Sequence, residues 1–132
     1  AEAAALCAMR ATAEDIAAIR EKLETMERVF HETQGAQSDA DWEFHQAVYR
    51  ASGNKLFEQI IAAMLGSFHR FWEHPLGVRD FGHASFPYHR IMFERIAAHD
   101  PVGARAEALK LIATVEEDLK RGARNLKVAG RR

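Results

Sequence analysis

The chain has 132 residues, of which 48% are hydrophobic and 28% charged, with a formal net charge of -1; this composition is that of one ordinary globular domain. A net charge near zero gives no sign of the positively charged surface that binds nucleic acid. Because Cys7 is the single cysteine, an internal disulfide framework is excluded, and the sequence fits a reducing cytoplasm. No stretch approaches the ~20 apolar residues of a membrane span.

Helix signals follow one another through the first half of the chain. Residues 1–10 are rich in alanine and favour a helix. The segment 12–15, TAED, has the pattern of a capping box and opens a second predicted helix, which stops before Gly35. The segment 38–41, SDAD, repeats that pattern and predicts a third helix, which ends near Gly53.

The second half continues the same pattern. Residues 56–72 are apolar on nearly all sides, which predicts a central, fully packed helix or one that also serves a subunit interface. After a predicted loop over residues 73–84, Ser85 is expected to cap a fifth helix, and Asp100 a sixth. The apolar stripe of the sixth helix is predicted to consist of Ala104, Ala108, Leu111, Ile112, Val115 and Leu119.

These elements predict an all-α protein, a single bundle of about six helices. No segment alternates between apolar and polar residues at the period of a strand, and no internal repeat is visible. The bundle is expected to occupy residues 1–122, and residues 123–132 form a basic C-terminal tail.

Three polar residues lie on stripes that otherwise face the core. Asp41 and His45 are four residues apart, which places both side chains on one face of the third helix. His89 lies on the apolar stripe of the fifth helix. Since burying a carboxylate or an imidazole without a partner is costly, the three require each other, a metal ion or a bound ligand.

Three segments together carry a family resemblance. They are LCAMRATAEDIAAIREKLETM, DADWEFHQAVYRASGNKLFEQII and SFPYHRIMFERIAAHDPVGARAEAL. Over roughly residues 1–119 the chain resembles the C-terminal effector-binding domain (FCD type) of the FadR-like branch of the GntR transcription regulators. The combination of Asp-x-x-x-His followed by ASGN with a later Ser-x-x-x-His-Arg-Ile carries the resemblance.

The resemblance implies a cytoplasmic ligand-sensing domain with the FadR C-terminal-domain fold. Such a domain senses a small molecule, with or without a metal ion, and transmits its presence to a winged-helix DNA-binding domain. For this chain we expect the effector to be a small carboxylate. That domain is expected before residue 1 and is absent from this chain, so contact with DNA is expected only through it. The expected assembly is a homodimer to which the apolar segment 56–72 or its neighbouring helices contribute.

The resemblance also implies a metal site. In metal-containing members one Asp and three His hold a divalent cation, and three of these ligands correspond to Asp41, His45 and His89. The fourth corresponds to Leu111, which departs from the pattern and is expected to weaken the binding of Zn²⁺, Ni²⁺, Mn²⁺ or Fe²⁺.

Three more side chains are expected to bind the effector: His69, Arg70 and Ser85. His69 could also complete the metal sphere, and His83 in the loop is a weaker substitute. Structural roles stay open for each of them. Arg70 can be a solvated or helix-pairing arginine, and Ser85 a helix cap.

Two other functions compete with a sensor. The chain could be a helical dimerisation module in which the polar trio is only a hydrogen-bonded core cluster. Two histidines and one carboxylate also form the metal-binding triad of non-haem iron oxygenases. The sequence has no H-E-x-x-H segment and no Glu-x-x-His pair of a di-iron bundle, so we expect no enzyme.

Overall fold

A computed structural model describes residues 1–33, 39–72, 78 and 80–129, with residues 64–72 and 126–129 described by their backbone alone. Within these ranges the chain forms helices and turns without a strand, which confirms the predicted all-α bundle. The six helices are α1 (Glu2–Arg10), α2 (Ala13–Thr33), α3 (Asp39–Ala51), α4 (Lys55–Trp72), α5 (Pro87–Ala97) and α6 (Pro101–Ala129). None of the described helices has an apolar stretch long enough to cross a bilayer.

The helix at the centre of the bundle is α1, which packs against α3, α5 and α6. Its buried face consists of small side chains, namely Ala3, Ala4, Cys7 and Ala8. Because these side chains are small, α3, α5 and α6 can all pack closely against α1. This short helix therefore occupies the central position that the sequence suggested for the apolar segment 56–72.

The expectation that segment 56–72 forms a fully packed central helix is wrong for its first turns. The corresponding helix, α4, packs against α3, and Leu56 and Ile60 are 60% and 45% exposed. A helix that is apolar on most sides can bury only the face that meets a neighbour, which leaves the rest exposed in a single copy of the chain.

The core lies between α1, α2, α3, α5 and α6. Its largest fully buried side chains are Phe44, Phe93, Ile19, Leu23, Met26 and Ile96. Two hydrogen bonds, each between a side chain and a main-chain carbonyl, join the C-terminal end of α1 to the segments that follow α3 and α5. Arg10 donates a hydrogen bond of 2.9 Å to the carbonyl of Ser52 after α3, and the ring Nδ1 of His99 lies 2.8 Å from the carbonyl of Ala8.

Two of the predicted helix caps are confirmed. Thr12 and Asp15 form a reciprocal capping box, in which each backbone N–H donates to the side chain of the other residue. Asp100 caps α6, since its Oδ1 accepts from the backbone N–H of Gly103 at 2.8 Å. Residue Ser38, the expected cap of α3, lies outside the described residues.

The prediction that Ser85 caps α5 is wrong. The capping position belongs to Phe86, which makes no side-chain cap, and the helix begins at Pro87. The hydroxyl of Ser85 instead donates to the carbonyl of Gly82 at 3.0 Å. The reason is that residues 81–86 already form successive turns, which satisfy the backbone groups that a cap would bind.

The last helix differs from its predicted stripe in two respects. Ile112, predicted to face the core, is 49% exposed, whereas Glu107 and Asp118 are buried. Asp118 accepts a hydrogen bond of 2.9 Å from the backbone N–H of Gly82 and pairs with Arg121, so its carboxylate fastens the turn before α5 to α6. The helix itself continues to Ala129, through most of the predicted tail.

Candidate metal centre

The structure brings the predicted polar trio together. Asp41 and His45 lie one turn apart on α3, and His89 reaches them from the first turn of α5. The Nε2 atoms of His45 and His89 are 3.1 Å apart. Asp41 Oδ1 lies 3.2 Å from His89 Nε2 and 3.8 Å from His45 Nε2. One oxygen and two nitrogens from two helices therefore converge on one point.

The ring of His89 is oriented by the main chain. Its Nδ1 lies 2.9 Å from the carbonyl oxygen of Phe86. A carbonyl can only accept a hydrogen bond, so Nδ1 must carry the proton, and in the neutral ring Nε2 then presents a lone pair to the trio. This arrangement, with one ring nitrogen held by a carbonyl and the other directed at the site, is typical of metal-binding histidines.

The spacing of the three atoms suits a small divalent cation. In a tetrahedral zinc site, bonds of about 2.0–2.1 Å place neighbouring ligand atoms ~3.3 Å apart. The three separations in the trio are 3.1, 3.2 and 3.8 Å. Among the residues that the structure describes, this is the group of His, Cys, Asp and Glu side chains whose spacing could hold a metal ion.

Apolar rings surround the trio and lower its access to water. Phe44, which is fully buried, meets the rings of His45 and His89 edge to face at 5.4 and 5.6 Å between centroids. The ring of Tyr49 stacks on that of His45, with 6.2 Å between centroids. Burial lowers the pKa of His45 to about 4, although the nearby carboxylate of Asp41 acts in the opposite direction. His45 therefore stays neutral and able to bind a metal at mildly acidic pH.

Tyr49 joins the trio to a cleft between α3 and α4. Burial, and secondarily the charge of Asp41, raise the pKa of its phenol. The cleft has a volume of about 140 Å³ and is lined by Gln46, Tyr49, Arg50, Glu58, Ile61 and Ala62. Its two charged residues, Arg50 and Glu58, pair with each other at 3.5 Å.

The residues predicted to bind the effector are only partly described. The side chains of His69 and Arg70 lie outside the described residues. Ser85 is buried, and its hydroxyl donates to the carbonyl of Gly82. Leu111 is half-buried on α6. His83 packs edge-on against Phe30, with 5.2 Å between ring centroids, and is not part of the trio.

Sequence reasoning missed the carbonyl of Phe86. A main-chain acceptor depends on backbone geometry rather than on side-chain identity, so only the position of His89 in the first turn of α5 could have suggested it. The buried Glu107 was also missed, because a glutamate that is not part of the predicted apolar stripe of the sixth helix is expected to face solvent. It is held by Lys110, whose Nζ lies 2.8 Å from its Oε1.

The chain was compared with known protein families. The family model described as the FCD domain matches residues 1–114, a range that contains every residue predicted for the metal and effector sites. The match confirms the resemblance seen in the sequence. No curated protein matches the chain significantly.

Proposed function

This chain belongs to the FCD domain family, and from that premise we propose that it is the effector-sensing domain of a transcription regulator, with a divalent metal ion as part of its sensor site. FCD domains are ligand-sensing regulatory domains, which supports the general function. The observation that carries the metal proposal is the convergence of Asp41, His45 and His89 within 3.1 to 3.8 Å.

The donor set fits a borderline metal. Two imidazoles and one carboxylate suit Zn²⁺, Ni²⁺, Mn²⁺ or Fe²⁺, and three protein ligands leave at least one position open. The metal would supply a positive charge that binds an anionic group at this open position. Asp41 and the two rings would hold it, and the carbonyl of Phe86 would keep His89 directed at it.

We propose a small carboxylate as the effector. A carboxylate oxygen can complete a metal sphere that lacks a protein ligand at Leu111, and the rest of the molecule would meet His69, Arg70 and Ser85. A guanidinium binds a second carboxylate well, which favours a dicarboxylate, hydroxy acid or sugar acid. Because an effector binds one packing of the bundle better than another, it would shift the population between them.

The regulator is proposed to act in the cytoplasm as a homodimer that contacts DNA through a separate winged-helix domain. The proposed domain is residues 1–122, with 123–132 as its tail. We propose no enzymatic activity. Cys7 offers no catalytic thiol, since it is buried and burial raises the pKa of its thiol to about 12.

Metal titration of the purified chain tests the proposal. Zn²⁺ and Ni²⁺ should raise the melting temperature of the wild type and bind with one equivalent by calorimetry, because a ligand that binds only the folded chain stabilises it. His89→Asn should abolish both effects. His31→Gln, which removes an exposed histidine outside the trio, should leave them unchanged.

The competing functions predict other outcomes. A hydrogen-bonded core cluster predicts no metal binding, together with equal melting of the wild type with and without zinc. In the sensor, a panel of small dicarboxylates and hydroxy acids should raise the melting temperature further only when metal is present. Aerobic turnover of such an acid with Fe²⁺ would instead favour an oxygenase.

A further inference from the structure

Tyr49 contacts both the candidate metal centre and the cleft between α3 and α4. Its ring is nearly parallel to that of His45, with an angle of 21° between the two planes, and the same side chain lines the cleft. Tyr49 follows His45 by four residues, so both side chains lie on one face of α3. A molecule that extends from a metal at the trio towards the cleft therefore has to pass along Tyr49.

The hydroxyl of Tyr49 is available to a ligand. It makes no hydrogen bond within the described ranges of the chain, although the side chain is half-buried. A phenol keeps its proton at neutral pH, so this hydroxyl can donate a hydrogen bond as well as accept one. Withdrawing a polar group from water without a partner costs free energy, and a ligand with a complementary group would recover that cost.

The other polar groups of the cleft suit hydroxyl groups better than a second carboxylate. The amide of Gln46 both donates and accepts hydrogen bonds, as a hydroxyl does. Arg50 already pairs with Glu58, so a second carboxylate would compete with Glu58 for the guanidinium and would lie beside a like charge. A hydroxyl can instead accept from Arg50 and donate to Glu58, and the pair stays intact.

The size of the cleft limits what can enter it. Its volume of about 140 Å³ is close to that of a cavity that holds benzene, so it has room for about six non-hydrogen atoms. Three carbon atoms with one hydroxyl group each have that number of atoms. The cleft is therefore matched in size to a short polyhydroxylated chain.

We propose that the effector is a polyhydroxylated monocarboxylate and that Tyr49 is a specificity-determining residue for it. The carboxylate would complete the metal sphere, and the hydroxylated carbons would lie in the cleft, where the hydroxyl of Tyr49 and the amide of Gln46 bind them. This inference rests on the proposed function. Of the three effector classes given there it selects the sugar acids over the dicarboxylates and the simple hydroxy acids.

Calorimetric titration of the zinc-loaded chain with small acids tests the inference. The probes are three aldonates (gluconate, galactonate and xylonate), with adipate as a dicarboxylate and butyrate as an acid without hydroxyl groups. Because aldonates also bind free zinc, each titration is repeated at the same zinc concentration without protein. At least one aldonate should bind at least tenfold more tightly than adipate and butyrate.

A pair of matched variants isolates the hydroxyl of Tyr49. Tyr49→Phe keeps the ring that stacks on His45, so zinc affinity should stay within about twofold of the wild type. The best aldonate should bind about fivefold more weakly, as expected for one lost hydrogen bond, and butyrate should bind as before. Tyr88→Phe changes the other tyrosine of the chain, which lies on α5 and does not line the cleft, and should alter none of these affinities.

The outcomes separate this inference from the proposed function. Adipate binding as tightly as the best aldonate, no binding of any aldonate, or equal aldonate affinity of Tyr49→Phe and the wild type would overturn the inference, whereas zinc binding alone judges the metal centre. If the wild type binds no zinc, the metal centre fails, and the aldonate titrations in EDTA judge the cleft. Binding that weakens in Tyr49→Phe then supports the role of Tyr49, and its absence overturns it.

Discussion

The Nε2 atoms of His45 and His89 lie 3.1 Å apart, and His89 already has its Nδ1 proton engaged by the carbonyl of Phe86. In the neutral state a single proton, carried by His45, can join the two nitrogens. Asp41 Oδ1, at 3.2 Å from His89 Nε2, then meets a lone pair. A divalent cation bound between the three atoms would remove this repulsion by accepting both lone pairs.

Replacing Leu111 by histidine tests whether α6 faces the trio. If it does, Leu111→His supplies a fourth ligand and should raise the affinity for Zn²⁺ at least tenfold, about 1.4 kcal/mol. In EDTA the same change should destabilise the chain, since it places an imidazole at a half-buried apolar position. Calorimetry and melting with and without zinc measure both effects.

The control for this prediction is His89→Ala in the Leu111→His background, which should abolish the gain from zinc. Equal destabilisation of Leu111→His with and without zinc, with no added heat of binding, would show that residue 111 does not reach the site.

Stability should fall in mild acid because of His45. Its folded pKa is about 4, below the value of 6.5 in an unfolded chain. The unfolded chain therefore takes up a proton between pH 6.5 and 4 that the folded chain resists, and the stabilisation present above pH 6.5 is lost across that interval. Urea unfolding in EDTA from pH 4 to 7.5 should show this loss. His45→Gln should have a flatter profile, and an identical slope would contradict the assignment.

The start of α6 contains a cap that a single methyl group should break. A Cβ at position 103 would overlap Oδ2 of Asp100, whose Oδ1 accepts the hydrogen bond from the Gly103 N–H. We expect Gly103→Ala to displace this carboxylate and to destabilise the chain by about 1 kcal/mol, the usual cost of losing a cap, despite the better helix propensity of alanine. Thermal or urea unfolding measures the change.

A double-mutant cycle separates the lost cap from other effects. Asp100→Ala should cost a similar amount, and Gly103→Ala should cost nothing more once Asp100 has been removed, because both changes delete the same hydrogen bond. Additive losses would mean that Gly103→Ala acts elsewhere.

Phe44 should matter to metal binding as well as to folding. Phe44→Ala and Phe93→Ala each empty a buried position and should cost about 3–5 kcal/mol. Only Phe44 packs against the rings of both histidines, whereas Phe93 lies under the guanidinium of Arg20. Zinc affinity, measured at a temperature where both variants are folded, should therefore fall for Phe44→Ala and not for Phe93→Ala.

The helices and two caps were predictable because they depend on neighbours in sequence. The spacing of Asp41 and His45 is local in the same sense. The approach of His89 is not, since it depends on how α5 packs. Its apolar stripe predicted that it is buried and needs a partner, and the family resemblance indicated that Asp41 and His45 are those partners. The central position of α1 was missed because hydrophobicity suggests burial without showing which neighbours a helix meets. Small residues, which decide how closely helices approach, contribute little to that signal.

The two hydrogen bonds at the end of α1 link the motions of three helices. Arg10 is bonded to the carbonyl of Ser52, at the end of the helix that carries Asp41 and His45. His99, just beyond the helix that carries His89, is bonded to the carbonyl of Ala8. When the distance between α3 and α5 changes, α1 must rotate or slide with them, or one of these bonds must break. As long as both bonds persist, a displacement at the trio moves the first helix as well.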